Sequence, residues 1–214
     1  AGDVNGDGYS DLIVGAPYAD GAYADQGAAY VFHGSASGLA AAPATSLTFP
    51  EAAANFGFSV SSAGDVNGDG YSDVVVGAPG RPDVFVYHGS GGGLGSTFAW
   101  QYLAVGTSEY DYGYRVALAG DVNGDGYSDI LFSSTESPGG FGCGIFASVA
   151  CYDGRVICRR GSPTGVGDVL YDSADAARPS RWSSFYCYLG RSLALLGDLD
   201  GDGYADFGFG GPVD

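Results

Sequence analysis

Short apolar runs recur along the chain, each directly behind the same polar stretch. Leu12-Ile13-Val14-Gly15-Ala16-Pro17, Val74-Val75-Val76-Gly77-Ala78-Pro79, Ile130-Leu131-Phe132 and Phe207-Gly208-Phe209-Gly210-Gly211-Pro212 are apolar or β-branched, and most are closed by Gly and Pro. Runs of this length and content predict buried strands. Ahead of three of the polar stretches stands an aromatic or apolar residue, then Gly, then an alternating run: Phe56-Gly57-Phe58-Ser59-Val60, Tyr112-Gly113-Tyr114-Arg115-Val116 and Leu189-Gly190-Arg191-Ser192-Leu193. The Gly precedes the first Asp of the polar stretch by eight residues each time, so these are one strand repeated. A third strand ends in a turn at Ala29 to Ser35, Val84 to Ser90 and Val156 to Ser162, and a weaker fourth follows near Leu47 to Phe49, Thr97 to Trp100 and Val169 to Tyr171. Four antiparallel strands per repeat is the composition of a propeller blade.

The polar stretch is the most specific feature of the sequence. It reads Asp-Val-Asn-Gly-Asp-Gly-Tyr-Ser-Asp at Asp3 to Asp11, Asp65 to Asp73 and Asp121 to Asp129, and Asp-Leu-Asp-Gly-Asp-Gly-Tyr-Ala-Asp at Asp198 to Asp206. Oxygens from side chains at loop positions 1, 3 and 5, a backbone carbonyl at 7 and a carboxylate at 9 suit a hard cation that takes six to eight oxygen ligands. The predicted ligands are Asp3, Asn5, Asp7, Tyr9 and Asp11; Asp65, Asn67, Asp69, Tyr71 and Asp73; Asp121, Asn123, Asp125, Tyr127 and Asp129; and Asp198, Asp200, Asp202, Tyr204 and Asp206, each Tyr through its carbonyl. The Gly at position 6, Gly8 in the first loop, permits the bend. An all-oxygen, nearly all-protein ligand set selects Ca2+ over Mg2+, which keeps several waters, so four calcium sites are expected. An Asn-Gly turn alone would make a hairpin without metal, but converging carboxylates repel one another unless a cation lies between them. An EF-hand loop would place an acid at position 12, where this chain has Val14, Val76, Phe132 and Phe209.

Composition narrows the class. The 214 residues are 45% hydrophobic and 14% aromatic, enough for one substantial core, and 39 Gly favour an all-β chain with many turns. The formal charge of −17 argues against nucleic acid and anionic membrane surfaces as partners. That acidity is largely a metal-site signature: 13 of the 25 acidic residues lie in the loops, and four divalent cations would neutralise roughly half the net charge. No run of 18 apolar residues predicts a membrane span. Neither a signal peptide nor an initiator Met stands at the start, which fits a mature product, an excised domain or an engineered segment.

Phe-Gly, the cation loop and Gly-Ala-Pro, followed by a Tyr-Val-Phe-His-Gly-Ser strand, resemble the FG-GAP repeat of the integrin α-subunit β-propeller and its bacterial relatives. The resemblance covers nearly the whole chain. It implies calcium in the loop between the first and second strands of each blade, a propeller often of about seven blades, and extracellular adhesion or ligand binding through loops on the face opposite the calcium loops. The repeats are expected at about 1–50, 51–106, 107–183 and 184–214, the last partial. The loop spacings are 62, 56 and 77 residues, so the third repeat carries an insertion between Ser134 and Gly154. The first blade is expected to lack its inner strand and the last its outer two, which favours a fragment or a homo-oligomer completing a ring over a self-closed four-bladed ring.

Four cysteines suggest an oxidising compartment and two disulfides in one of three pairings, with Cys143 to Cys151 and Cys158 to Cys187 the favoured one. His33 and His88 share one repeat position before Gly-Ser and read as turn or strand residues. Glu51, Glu109 and Glu136 are scattered, and no nucleophile elbow, phosphate loop or His-Glu-x-x-His is present, so no enzyme is predicted. Tyr9, Tyr71, Tyr127 and Tyr204 recur with the loop and favour packing over recognition. The non-repeating Tyr18, Tyr23, Tyr110, Asp111, Tyr112, Trp182, Phe185 and Tyr186 are the better candidates for a recognition surface. The reading is therefore a secreted or cell-surface, calcium-binding all-β propeller or propeller segment that binds a protein or glycan ligand. A lectin-type propeller and the propeller domain of a secreted hydrolase are the alternatives.

Overall fold

The computed structural model describes residues 1–104, 111–135, 154–173 and 189–211. Among the described residues there are thirteen strands and no helix. They are β1 (Leu12–Ala16), β2 (Ala28–Phe32), β3 (Thr45–Thr48), β4 (Ser59–Gly64), β5 (Asp73–Ala78), β6 (Asp83–Tyr87), β7 (Trp100–Leu103), β8 (Arg115–Gly120), β9 (Asp129–Ser134), β10 (Arg155–Arg159), β11 (Val169–Asp172), β12 (Ser192–Gly197) and β13 (Asp206–Gly210). They form four antiparallel sheets ordered β1-β2-β3, β4-β5-β6-β7, β8-β9-β10-β11 and β12-β13. The middle two are complete four-stranded blades. The first has no inner strand and the last no outer pair among the described residues, as the repeat pattern predicts.

Two expectations need correction. The fourth strand of the second blade is Trp100–Leu103 and not Thr97 to Trp100, because Trp100 is the residue that pairs with Val86 of β6. The apolar run of β1 is not buried: Leu12 is 41% and Val14 42% exposed. The matching β5 and β9 are buried throughout because each lies between two strands of its own sheet, whereas β1 has a neighbour only in β2.

The core lies in the seams between blades. Val31, Leu47, Phe56, Phe85 and Tyr87 fill the first seam; Val66, Val116, Ile130, Phe132 and Ile157 fill the second; Leu131, Val156, Phe207 and Phe209 lie in the third. Each blade thus packs on its neighbours, as in other repeat architectures. The inner strands touch in series, β4 with β8 and β8 with β12. No comparable contact joins β1–β3 to β12 or β13 among the described residues.

The Phe-Gly and Gly-Ala-Pro motifs meet across these seams. A Cβ on Gly15 would lie 1.9 Å from the carbonyl oxygen of Gly57, and one on Gly77 would lie 2.0 Å from that of Gly113. Only Gly permits the approach, and Gly57 and Gly113 also need φ near +83° and +89°. In the third seam Ser133 takes the corresponding place and donates its hydroxyl to the Gly190 carbonyl at 2.7 Å. Immediately before three of the polar loops the first strand slips register, at Ser62/Gly64, Leu118/Gly120 and Leu195/Gly197. Such a glycine bulge re-aims the chain into the loop.

Candidate metal centres

The second, third and fourth polar loops join the first and second strands of their blades, the first leads into β1, and each is held by its own side chains. In the first loop Asp3 accepts three backbone N–H groups: Gly6 (2.7 Å) and Asp7 (3.1 Å) on Oδ1 and Gly8 (2.8 Å) on Oδ2. These donors, Gly8 foremost, hold the Asp3 carboxyl below its ordinary pKa. Asn5 accepts the Asp7 N–H through Oδ1 (3.0 Å) and donates its amide to Asp7 Oδ2 (3.0 Å), while Asp7 Oδ1 accepts the Tyr9 N–H (2.9 Å). The second and third loops repeat this pattern bond for bond. In the fourth loop Asp200 replaces the Asn and cannot make the amide contact; oxygens of Asp198, Asp200 and Asp206 lie within 4.8 Å of one another. Three carboxylates that close, with no cationic side chain among them, make an oxygen-only donor set that fits a hard divalent cation.

The carboxylate at position 9 has a second task that the sequence did not announce. Asp73 Oδ2 accepts the Val66 N–H of its own loop (2.9 Å), and Oδ1 accepts the Gly89 N–H at the end of the third strand (2.9 Å). Asp11 does the same with Val4 and Gly34, and Asp129 with Val122 and Gly161. Desolvation pushes both Asp73 and Asp129 up to about 6; the N–H donors pull the other way, and Asp69 beside Asp73, and Asp125 and Asp121 beside Asp129, add to the rise. These buried carboxylates carry a charge that a cation in the loop would relieve. Asp206 accepts only the Leu199 N–H (2.9 Å) among the described residues.

Successive loops are keyed to one another. The N–H at position 8 donates to the position 1 carbonyl of the preceding loop: Ser72 to Asp3 (2.9 Å), Ser128 to Asp65 (2.9 Å) and Ala205 to Asp121 (2.8 Å). The loop tyrosines lie over the position 4 glycines of the preceding loop, so a Cβ on Gly6, Gly68 or Gly124 would lie 2.7, 2.5 or 2.3 Å from the ring of Tyr71, Tyr127 or Tyr204. Their recurrence is therefore explained by packing between neighbouring loops. The position 6 glycines Gly8, Gly70, Gly126 and Gly203 have no atom within 4 Å of such a Cβ and are required only by φ between 88° and 92°.

The remaining candidates separate clearly. His33 and His88 place their rings against Gly93 and Gly165 in the turn of the next blade, a packing position. Tyr112 is not a recognition residue: it is buried in the second seam at the repeat position of Phe56, and its hydroxyl meets Arg155 at 3.1 Å. Asp111 accepts from Ser134 Oγ (2.8 Å) and from the Thr135 N–H (2.6 Å). Glu51 pairs with Arg81. Tyr18 and Tyr23 are 67% and 47% exposed in the segment joining β1 and β2, the end of the blade opposite the polar loops. Cys158 is a free, buried thiol in β10, packed with Ala119, Leu131 and Val156 and pushed up to about 12 by desolvation, so the expected bridge to Cys187 is not formed. Cys143, Cys151, Cys187, Glu109, Glu136, Tyr110, Trp182, Phe185 and Tyr186 lie outside the described residues.

Antiparallel sheets of blade topology, with glycine pairs interlocking at the first two seams, define an all-β propeller assembly of repeated blades. An FG-GAP-like repeat model matches residues 65–132, and an FG-GAP repeat model matches residues 1–32 and 112–156. The chain belongs to the FG-GAP repeat proteins and is integrin-like. It is 37% identical over 149 residues to integrin alpha-3 of Cricetulus griseus, which is 62% of this chain and 13% of the relative. It is 33% identical over 144 residues to integrin alpha-4 of Xenopus laevis (63% and 14%) and 39% identical over 139 residues to integrin alpha-7 of Rattus norvegicus (62% and 12%). The chain thus spans about an eighth of the length of the curated relatives it matches. No helix among the described residues is long and apolar enough to cross a membrane.

Proposed function

We propose that this chain is a calcium-stabilised extracellular propeller scaffold that binds a protein ligand, and that it acts by binding and not by catalysis. The observation that carries the metal reading is the convergence of the Asp198, Asp200 and Asp206 oxygens in a loop whose backbone bonding recurs in the three others. In each loop the side chains at positions 1, 3, 5 and 9 and the Tyr carbonyl at 7 would hold one Ca2+, which would supply the positive charge that these carboxylates lack. The metal would also brace the ring, because each loop is bonded to the next and, in the first three, to the third strand of its own blade. The ligand surface is assigned to the opposite face, where Tyr18 and Tyr23 are exposed. The integrin relatives support the adhesion class and an extracellular location. The repeats divide at about 1–50, 51–106, 107–183 and 184–214.

The test is thermal and denaturant unfolding in calcium and in chelator, with Asp69→Ala as the probe because Asp69 bonds only within its loop. Calcium at about 100 times its dissociation constant stabilises by about 2.7 kcal/mol per independent site. Asp69→Ala is expected to remove one site's share and one bound ion; unchanged calcium content and melting would refute the second site.

A further inference from the structure

Asn5, Asn67 and Asn123 stand at position 3 of the first three loops, and each is followed by a glycine, Gly6, Gly68 and Gly124. The asparagines are half-buried and the glycines exposed. A backbone nitrogen reaches the side-chain carbonyl carbon of the asparagine before it by closing a five-membered ring, and a glycine nitrogen does so with no Cβ in the way. The loop supplies what this attack needs. The Gly6 N–H donates to Asp3 Oδ1 (2.7 Å), so its proton has an acceptor in place. Asn5 Oδ1 accepts the Asp7 N–H (3.0 Å), a donor fixed on the oxygen where negative charge develops. The arrangement recurs in the next two loops. Gly68 donates to Asp65 (2.6 Å) and Asp69 to Asn67 (3.1 Å), while Gly124 donates to Asp121 (2.7 Å) and Asp125 to Asn123 (2.9 Å). Asn55 is the contrast: the residue after it is the buried Phe56, whose N–H is held by the Gln26 carbonyl (3.0 Å).

We propose that Asn5, Asn67 and Asn123 are deamidation sites, at which the metal-free loop converts its own position 3 amide to a carboxylate. The glycine nitrogen bonds to the Asn Cγ and gives its proton to the position 1 carboxylate. The Cγ–Nδ2 bond then breaks, and the amide nitrogen takes up that proton and leaves as ammonia. Water opens the resulting cyclic imide at either carbonyl. Opening at Cγ leaves an ordinary Asp; opening at the backbone carbon leaves isoaspartate, with the chain running through the former side chain. The fourth loop shows that the ordinary product fits. Asp200 stands at position 3 there, and the Gly201 and Asp202 N–H groups still donate to Asp198 Oδ1 (2.7 and 3.1 Å). That product adds one negative charge to its loop, whereas isoaspartate inserts a methylene into the backbone and disrupts the loop's bonding. The reaction belongs to the chain and water alone, so the inference does not rest on the calcium reading.

The test is to hold the chain in chelator, at mildly alkaline pH and body temperature, in water enriched in heavy oxygen. Peptide mass spectrometry with electron-transfer fragmentation then maps the products. Acid in place of amide, carrying one heavy oxygen, is expected at Asn5, Asn67 and Asn123, with isoaspartate among the products and Asn55 intact. Asp65→Asn keeps the Asn67-Gly68 pair but removes the carboxylate that takes the proton. The rate at Asn67 should then fall about tenfold relative to Asn123 in the same molecule, less than a well-matched base contributes because a carboxylate is a weak base at this pH. Three intact amides, equal loss at Asn55, or an unchanged or faster rate at Asn67 in Asp65→Asn would each overturn the proposal. The map of the unsubstituted chain tests the sites even where the variant folds poorly.

Discussion

The second and fourth repeats carry nearly the same loop and hold it differently. Asp73 has no exposed surface and clamps two N–H groups, one in its loop and one at the end of β6. Asp206 is partly exposed and clamps one, in its loop alone, because β13 has no further strand beside it among the described residues. The difference shows that the last carboxylate of the motif is a staple between the loop and the third strand as well as a candidate ligand.

The largest expected contrast is between alanine substitutions at these two positions. Asp73→Ala leaves the Val66 and Gly89 N–H groups unpaired in the core, at about 1–3 kcal/mol each. Relief of the carboxylate's own burial offsets part of that, so urea unfolding in chelator should show a loss of about 2–4 kcal/mol. Asp206→Ala, which frees only an exposed N–H, should cost about 1 kcal/mol or less. Equal losses would break the comparison.

The pH dependence comes next. Asp73 and Asp129, pushed up to about 6, hold more protons in the folded metal-free chain than in the unfolded one between pH 3.8 and about 6. Stability in chelator therefore falls as pH rises through that window, by about 1–3 kcal/mol for each group. Asp3, held below its ordinary value, acts oppositely at lower pH. With calcium the slope in the upper window reverses, because protons and the cation compete for the same carboxylates. Melting temperatures between pH 4.5 and 7.5, with calcium and with chelator, read both slopes; a rise with pH in chelator would contradict the burial argument.

The smallest contrast sharpens the seam. Gly68 and Gly201 have nearly the same φ, +75° and +78°, so Ala costs each about 1–2 kcal/mol of backbone strain. At Gly68 the new Cβ would also meet the Tyr127 ring, whereas at Gly201 nothing lies within 4 Å. Gly68→Ala should therefore lose about 1–3 kcal/mol more. Equal melting of the two variants would mean that the tyrosine does not key one loop to the next.

Much of this was legible in the sequence because it is local and repeated. The loops, their Gly bends and the runs that became β5 and β9 follow from spacing alone, whereas the run of β13, predicted to be buried, is partly exposed along its whole length. The staple was not, since Asp73 and Gly89 are 16 residues apart and Asp129 and Gly161 are 32 apart, a pairing that only the folded sheet creates. The exposure of β1 and the register of β7 likewise depend on which neighbour strand is present and not on the run itself. An even cysteine count predicts a bridge at Cys158 but says nothing of burial, and this thiol faces Leu131 and Val156 within a seam. Tyr112 stands where Phe56 stands, and the exchange of one aromatic residue for another at a core position hides the repeat in the sequence.

Four loops of one design are each expected to hold a calcium ion. Native mass spectrometry of the chain sprayed from calcium-containing volatile buffer counts those ions directly. Four ions per chain are expected, falling to three in Asp69→Ala; a chain that carries none, with the same melting temperature in calcium and in chelator, would overturn the calcium reading.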